Sequence, residues 1–220
     1  MADIFDEIEE DLRRDRAKNL WDRFGKYVIG ACVAIVVGAG VWQVYDAQVK
    51  SAEAAAGDRF LDALELADTD RDAGIAALNE IIADGRAGYP QLAAFRLASE
   101  RAAAGDVPAA ISGFDALAED AGLPEEMRNL ARLRAAYLLL DSGNREDVER
   151  RISALAVSGS AYRHSARELM AFAAMKDGDL VGARAQFETI LTDLEAPEGI
   201  RNRAQIGLAV IAAQLPGATG

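Results

Sequence analysis

The sequence has very few histidines and cysteines, the residues that most often bind metals or act as nucleophile and base. Its 220 residues include one histidine, His164, and one cysteine, Cys32. A zinc site needs several imidazole or thiolate ligands, and a disulfide needs a second cysteine, so neither is expected within the chain. The phosphate-binding patterns Gly-x-x-x-x-Gly-Lys and Gly-x-Gly-x-x-Gly are also absent. We therefore predict a protein that is not an enzyme and that uses no cofactor or metal, with His164 an exposed residue at the start of a helix.

The chain also lacks a basic excess and any run in which apolar and polar residues alternate. Its 24 lysines and arginines face 36 acidic residues, which gives a formal net charge of −12. Nucleic-acid binding needs a basic surface and is not expected. A β-strand with one buried face needs the alternation, whereas the apolar residues here follow helical spacing between glycines. These patterns predict an all-α protein.

The one long apolar run covers residues 27–45 and contains no charged residue. As a helix it would be roughly 28 Å long, close to the thickness of about 30 Å of the hydrocarbon core of a bilayer. Aromatic residues that suit the headgroup zone flank both ends, namely Trp21, Tyr27, Trp42 and Tyr45. We predict a single transmembrane helix over residues 26–46.

The charges beside this run predict its orientation. Six basic residues lie within residues 13–26, whereas only Lys50 follows closely. Basic residues stay in the cytoplasm, so residues 1–25 are predicted to be a short charged cytoplasmic segment and residues 47–220 to lie outside. Ile4, Ile8 and Leu12 recur every four residues in that segment and favour an amphipathic helix. A cleaved signal peptide is the alternative, with Ala52-Glu53-Ala54 as its cleavage site, although the apolar run is long for one.

A short motif recurs in the part of the chain that follows the apolar run, and sets of spaced residues recur there about every 35 positions. Gly105-Asp106-x-x-x-Ala110-x-x-x-Phe114 reappears as Gly178-Asp179-x-x-x-Ala183-x-x-x-Phe187. A small residue lies seven positions before each turn glycine and predicts the close approach of two helices, at Ala98, Ala136 and Ala171. Four sets of residues at i, i+4, i+7 and i+8 are offset by 36, 38 and 35 residues: Gly74/Leu78/Ile81/Ile82, Ala110/Phe114/Leu117/Ala118, Val148/Ile152/Leu155/Ala156 and Ala183/Phe187/Ile190/Leu191.

This pattern resembles the tetratricopeptide repeat, a helical hairpin of about 34 residues. The resemblance covers residues 56–194 and is good around Gly105 and Gly178 but degenerate in the other two units. The predicted architecture is one N-terminal transmembrane helix followed by a tetratricopeptide-like solenoid of helical hairpins. An unrelated helical bundle is the alternative.

The order of the parts is similar to the YfgM-like family, ancillary subunits of the bacterial SecYEG translocon. Three short motifs carry the resemblance: Trp21-x-x-Phe24-Gly25, Tyr89-Pro90-Gln91-Leu92-Ala93-Ala94 and Lys176-Asp177-Gly178-Asp179. It implies a single-pass protein of the bacterial inner membrane with its repeats in the periplasm. It also implies association with the Sec translocon and with periplasmic chaperones or client polypeptides.

Two functions remain open at this stage. The first is a membrane-anchored protein–protein interaction module that helps the translocon in the chaperoning of secreted proteins. The second is an envelope regulator or sensor whose cytoplasmic N-terminal segment controls a signalling or cell-division partner, or an accessory subunit of an envelope complex. No small-molecule substrate is expected for either.

Two surfaces are candidates for binding. Gly30, Ala34 and Gly38 share one face of the apolar helix, where small residues allow another helix to approach closely in lipid. The first helices of the hairpins would line a groove for an amphipathic or unfolded apolar segment. Its predicted apolar residues, which would alternatively pack against neighbouring hairpins, are Leu92, Phe95, Leu130, Leu133, Tyr137, Leu140 and Phe172.

Overall fold

The computed structural model describes the backbone of residues 3–85 and 88–214, and the side chains of these residues except 3–17, 19 and 28. Over these residues the chain is helical and forms no strand, which confirms the predicted all-α class. A short 3-10 helix, Ser153–Leu155, follows the sixth α-helix. The α-helices are α1 (Asp3–Thr69), α2 (Arg71–Asp84), α3 (Tyr89–Ala103), α4 (Val107–Glu119), α5 (Glu125–Ser142), α6 (Arg145–Ile152), α7 (Arg163–Lys176), α8 (Leu180–Thr192) and α9 (Glu198–Gln214).

Contacts divide the chain into an N-terminal unit, Met1–Ala55, and a repeat unit, Ala56–Gly220, and α1 contributes to both. In the N-terminal unit the apolar run is helical, and its large side chains are exposed. Helix α1 contains a window that is apolar enough to cross a membrane, with a mean hydropathy of 2.0 and none of its residues buried. The backbone around Ile4, Ile8 and Leu12 is helical as predicted, but their side chains lie outside the described ones.

Helices of the repeat unit pair in sequence order. The end of α1 lies against α2, and a Cβ added to Gly74 would lie only 2.3 Å from the Ala67 Cα atom. This is the first hairpin. Helices α3 and α4 form the second hairpin, α5 and α6 the third, and α7 and α8 the fourth, while α9 packs on both α7 and α8. Helix α7, the first helix of its hairpin, also contacts both α5 and α9 directly. The predicted succession of helical hairpins is therefore confirmed.

The repeated Gly-Asp pair makes the turn in the second and fourth hairpins. Gly105 and Gly178 have φ angles of 85° and 82°, a left-handed conformation that glycine adopts more readily than other residues. The Asp106 and Asp179 carboxylates then each accept a hydrogen bond from the backbone N–H three residues later. The distances are 3.2 Å from Ala109 N and 2.8 Å from Gly182 N. One residue thus ends the first helix, and the next caps the second.

The four predicted sets of repeat residues supply the core of the repeat unit. Their i+4 members Leu78, Phe114, Ile152 and Phe187 are all buried, as are the small residues Ala98, Ala136 and Ala171. The Phe187 ring also touches the next first helix, because a Cβ added to Gly207 of α9 would lie 2.5 Å from it. The phenylalanine therefore fills the space between hairpins.

Candidate interaction surface

The predicted groove residues lie in two different environments. Leu133 is buried, and Phe95, Leu140 and Phe172 are partly buried against the core clusters of the hairpins. The Phe95 ring centroid is 6.2 Å from that of Phe114, and the Phe172 centroid is 5.4 Å from that of Phe187. These four side chains are therefore largely occupied by contacts within the array.

The remaining three predicted residues reach the surface to different extents. Leu92 on α3 is 44% exposed and Tyr137 on α5 is 41% exposed. Leu130 is half-buried on the first half of α5. The exposed apolar part of the predicted groove thus consists mainly of Leu92 and Tyr137.

Tyr137 of α5 lies beside the buried Glu168 carboxylate of α7, which also binds Arg203 of α9. Glu168 of α7 has a side chain only 1% exposed, and it accepts hydrogen bonds from the Arg203 Nε and Nη2 atoms of α9 at 2.5 and 2.9 Å. Burial and the nearby Glu168 carboxylate raise the pKa of the Tyr137 hydroxyl. The hydrogen bonds to Glu168 raise the pKa of Arg203. A buried carboxylate is costly without a cation, so this pair fixes α7 against α9 rather than serving as a free acid or base.

Other polar contacts join neighbouring hairpins about one repeat apart. The Arg151 guanidinium donates to both oxygens of Asp115 at 2.9 and 2.7 Å. The Lys176 ammonium donates to the Leu140 and Asp141 carbonyls at 2.9 and 2.7 Å, at the end of α5. A cation at that position satisfies carbonyls that the helix leaves without partners.

An open depression of about 690 Å³ lies between α5 and the segment before α7. Three arginines line it, but each is already paired. Arg151 binds Asp115, Arg150 binds Asp147, and Arg132 donates to the Asn129 side chain and the Ala118 carbonyl. The arginines are thus engaged within the array and do not form an open anion site.

The prediction for His164 is half wrong. It lies in the first turn of α7 as expected, but it is buried, with 5% of its surface exposed. Its Nε2 atom is 2.8 Å from an Asp193 carboxylate oxygen, and the Arg163 Nε atom donates to the same oxygen at 3.0 Å. Arg163, the Glu195 backbone N–H and His164 hold the pKa of the Asp193 carboxyl well below its usual range. His164 therefore helps to join α7 to the end of α8.

The tetratricopeptide repeat-like domain family matches residues 18–213. This chain belongs to that family. The match begins ahead of the apolar run and ends within α9, so one tetratricopeptide repeat-like domain covers the apolar helix and the hairpins together. Domains of this kind serve in protein–protein interaction. No curated protein and no solved structure matches the chain.

The tetratricopeptide repeat-like chain leaves the small-residue face of its apolar helix open. Gly30, Ala34 and Gly38 are exposed, and a Cβ added to Gly30 or Gly38 would meet no atom within 4 Å. Among the described residues, no three His, Cys, Asp or Glu side chains are grouped as a metal site requires. Sequence reasoning missed Arg203 and Asp193, because their partners lie 35 and 29 residues away and no local pattern marks such pairs.

Proposed function

We propose that this protein is a single-pass protein of the bacterial inner membrane, with residues 1–25 in the cytoplasm and the repeats in the periplasm. The observation that carries the proposal is a helix apolar enough to span a membrane, followed by tetratricopeptide-like hairpins. The basic residues that precede the apolar run support this orientation. A reporter fused after Gly220 should be active only outside the cytoplasm. Cytoplasmic activity of the fusion would contradict the orientation.

We propose further that the protein associates with the Sec translocon and that its repeats bind periplasmic chaperones or client polypeptides. The resemblance to the YfgM-like family suggests these partners, and the repeat fold suits protein binding. Leu92 and Tyr137 offer apolar contact area for an amphipathic or unfolded segment. Replacing both with alanine should reduce crosslinking to a secreted client, whereas Val181→Ala, at an even more exposed apolar residue on α8, should not.

The apolar helix would contribute a second contact, to a helix of the translocon within the membrane. The face of Gly30, Ala34 and Gly38 is open and small enough for close helix packing. Gly30→Ile with Gly38→Ile should weaken co-purification with the translocon. Gly40→Ile is the matched control, because a Cβ there also meets nothing but lies on another side of the helix. Unchanged co-purification of the double variant would remove this contact from the proposal.

Deletions distinguish this function from that of a regulator acting through its cytoplasmic segment. Loss of residues 56–220 should abolish client crosslinking, while loss of residues 1–12, which keeps the basic residues before the apolar run, should leave it intact. The reverse result would favour the cytoplasmic segment as the effector.

A further inference from the structure

Helix α9 is built like the first helix of a further hairpin. One side of it packs on α7 and α8 through Ala204 and Ile211, which are buried. Its positions correspond to those of α5 and α7 at a spacing of 35 residues. The equivalent triplets are Ala136/Leu139/Leu140 in α5, Ala171/Ala174/Met175 in α7 and Ile206/Ala209/Val210 in α9.

The triplets of α5 and α7 are covered by second helices. That of α5 packs in the cluster containing Val148 and Ile152 of α6, and that of α7 packs with Ala183, Phe187 and Ile190 of α8. In α9 the same positions are exposed: Ile206 by 64% and Val210 by 41%, with Ala209 between them. Within the described residues, nothing occupies the place of a second helix on α9. The end of a repeat array normally carries polar residues on its outer face, so this apolar face is unusual.

We propose that α9 of a second copy of this chain covers the face, in a two-fold α9–α9 pair. The second helix α8 meets its partner through Phe187, Ile190 and Leu191, which are spaced i, i+3 and i+4. Ile206, Ala209 and Val210 have the same spacing. One α9 therefore offers the pattern of a second helix, while no second helix covers it among the residues that the structure describes, and a surface of this kind is complementary to itself.

The distribution of charge also favours a second copy. Residues 204–214 contain no charged residue, whereas the whole chain carries a net charge of −12. The net negative charge makes two copies repel one another, and residues 204–214 of α9 let them approach without bringing like charges together. One helix pair is smaller than the roughly 1,200–2,000 Å² of a stable interface, so the pair is weak in dilute solution. Copies that share a membrane meet at a higher effective concentration.

Crosslinking of the full chain in membranes tests the pair. Cys32→Ser removes the native thiol, and Ala209→Cys places one on the face, between Ile206 and Val210 in sequence. A short bismaleimide should then yield a covalent dimer of this chain. Ala212→Cys is the matched control, because Ala212 is also an exposed alanine of α9 but lies on its flank, and it should yield little dimer.

Charge placed on the face should abolish the crosslink. Ile206→Glu with Val210→Glu, added to the Ala209→Cys variant, should lose the dimer, since both side chains are exposed and the fold does not depend on them. Gln205→Glu, at an exposed flank position, should keep it. An unchanged thermal unfolding temperature shows that the double variant is folded; if it is not, the dimer yield of Ala209→Cys compared with that of Ala212→Cys decides. The proposal is overturned if Ala209→Cys gives only monomer, if its thiol links to a different protein, or if the dimer survives both glutamates.

Discussion

The third and fourth hairpins are successive units of the same array, but their turns and second helices differ in local structure. In the fourth, Gly178 turns the chain at φ 82° and Asp179 caps a second helix of 13 residues. In the third, Gly143 is extended at φ −101°, and the second helix has 8 residues followed by a 3-10 turn. Sequence signals within the hairpin are therefore stronger in the fourth than in the third.

Contacts from neighbouring hairpins hold the third one in place. Arg151 of α6 binds Asp115 of α4, and the Tyr162 hydroxyl donates to the Glu126 carbonyl at 3.1 Å. Lys176 binds the carbonyls at the end of α5. An array can therefore keep its order when one hairpin departs from the repeat motif, provided that adjacent hairpins supply long-range contacts.

The largest effect is expected from the phenylalanine that the fourth hairpin has and the third lacks. Phe187→Ala should lower the free energy of unfolding by about 4 kcal/mol, because the buried ring lies between Phe172 and the backbone at Gly207. In the third hairpin, Ile152→Phe should instead cost about 2 kcal/mol through overpacking. Denaturant unfolding followed by circular dichroism measures both. A loss below about 1 kcal/mol for Phe187→Ala would contradict its core role; Val181→Ala, at a mostly exposed residue, is the control.

A smaller effect is expected from the buried Glu168–Arg203 pair of the fourth hairpin, which has no equivalent in the third. Leu133 lies 35 residues before Glu168, so the third hairpin has an apolar side chain at that position. Arg203→Ala should cost about 2 kcal/mol, because the Glu168 carboxylate stays buried without its cation while Arg203 itself is half exposed. Arg184→Ala removes an exposed pair with Glu188 and should cost under about 0.5 kcal/mol. Equal losses in thermal unfolding would show that the burial of Glu168 is unimportant.

The two turn glycines should respond in opposite order to alanine and asparagine. Gly178 has a left-handed φ and open space around a Cβ, so Gly178→Ala should cost about 1 kcal/mol and Gly178→Asn less. At Gly143 a Cβ would lie 2.8 Å from Leu139 Cδ2 and 3.0 Å from its carbonyl oxygen. The larger asparagine should therefore be the worse substitution there. The same order at both sites, measured by chemical denaturation, would contradict this account.

The smallest change is expected in the response to acid. Asp193 has a pKa below its unfolded value of about 3.9, so its stabilising contribution is present above pH 4 and declines as the pH falls below it. Asp193→Asn should lower the unfolding temperature at pH 7, and its difference from the unsubstituted chain should shrink as the pH falls from 5 to 3. Ser158 is the equivalent in the third hairpin, and Ser158→Ala should show no such trend. A difference for Asp193→Asn that stays constant with pH would show that this carboxylate is not responsible.

Sequence patterns predicted those parts of the fold whose causes are local. The Gly-Asp pair contains both the residue that stops one helix and the residue that caps the next, so Gly105 and Gly178 marked their turns correctly. The spacing at i, i+4, i+7 and i+8 reflects burial on one helix face, and the repeated members Phe114 and Phe187 are both buried.

The candidate surface was less predictable because exposure depends on neighbours in space. Leu133 and Tyr137 share one helix and one predicted groove, yet one is buried and the other 41% exposed. His164 is buried because Asp193 and Arg163 surround it, and nothing in its local sequence indicates a partner 29 residues away. Periodicity shows which helix face is apolar but not how far the next hairpin covers it.

The order of contacts in the repeat unit has a consequence for how the chain is made. Successive helices contact one another, and the ion pairs between hairpins join residues such as Arg151 and Asp115, 36 positions apart. A domain built from contacts of such short range folds quickly. Synthesis proceeds from the N-terminus, so each hairpin can form as soon as the following first helix has emerged. The nascent chain can thus assemble its array step by step, with little apolar surface waiting for a distant partner.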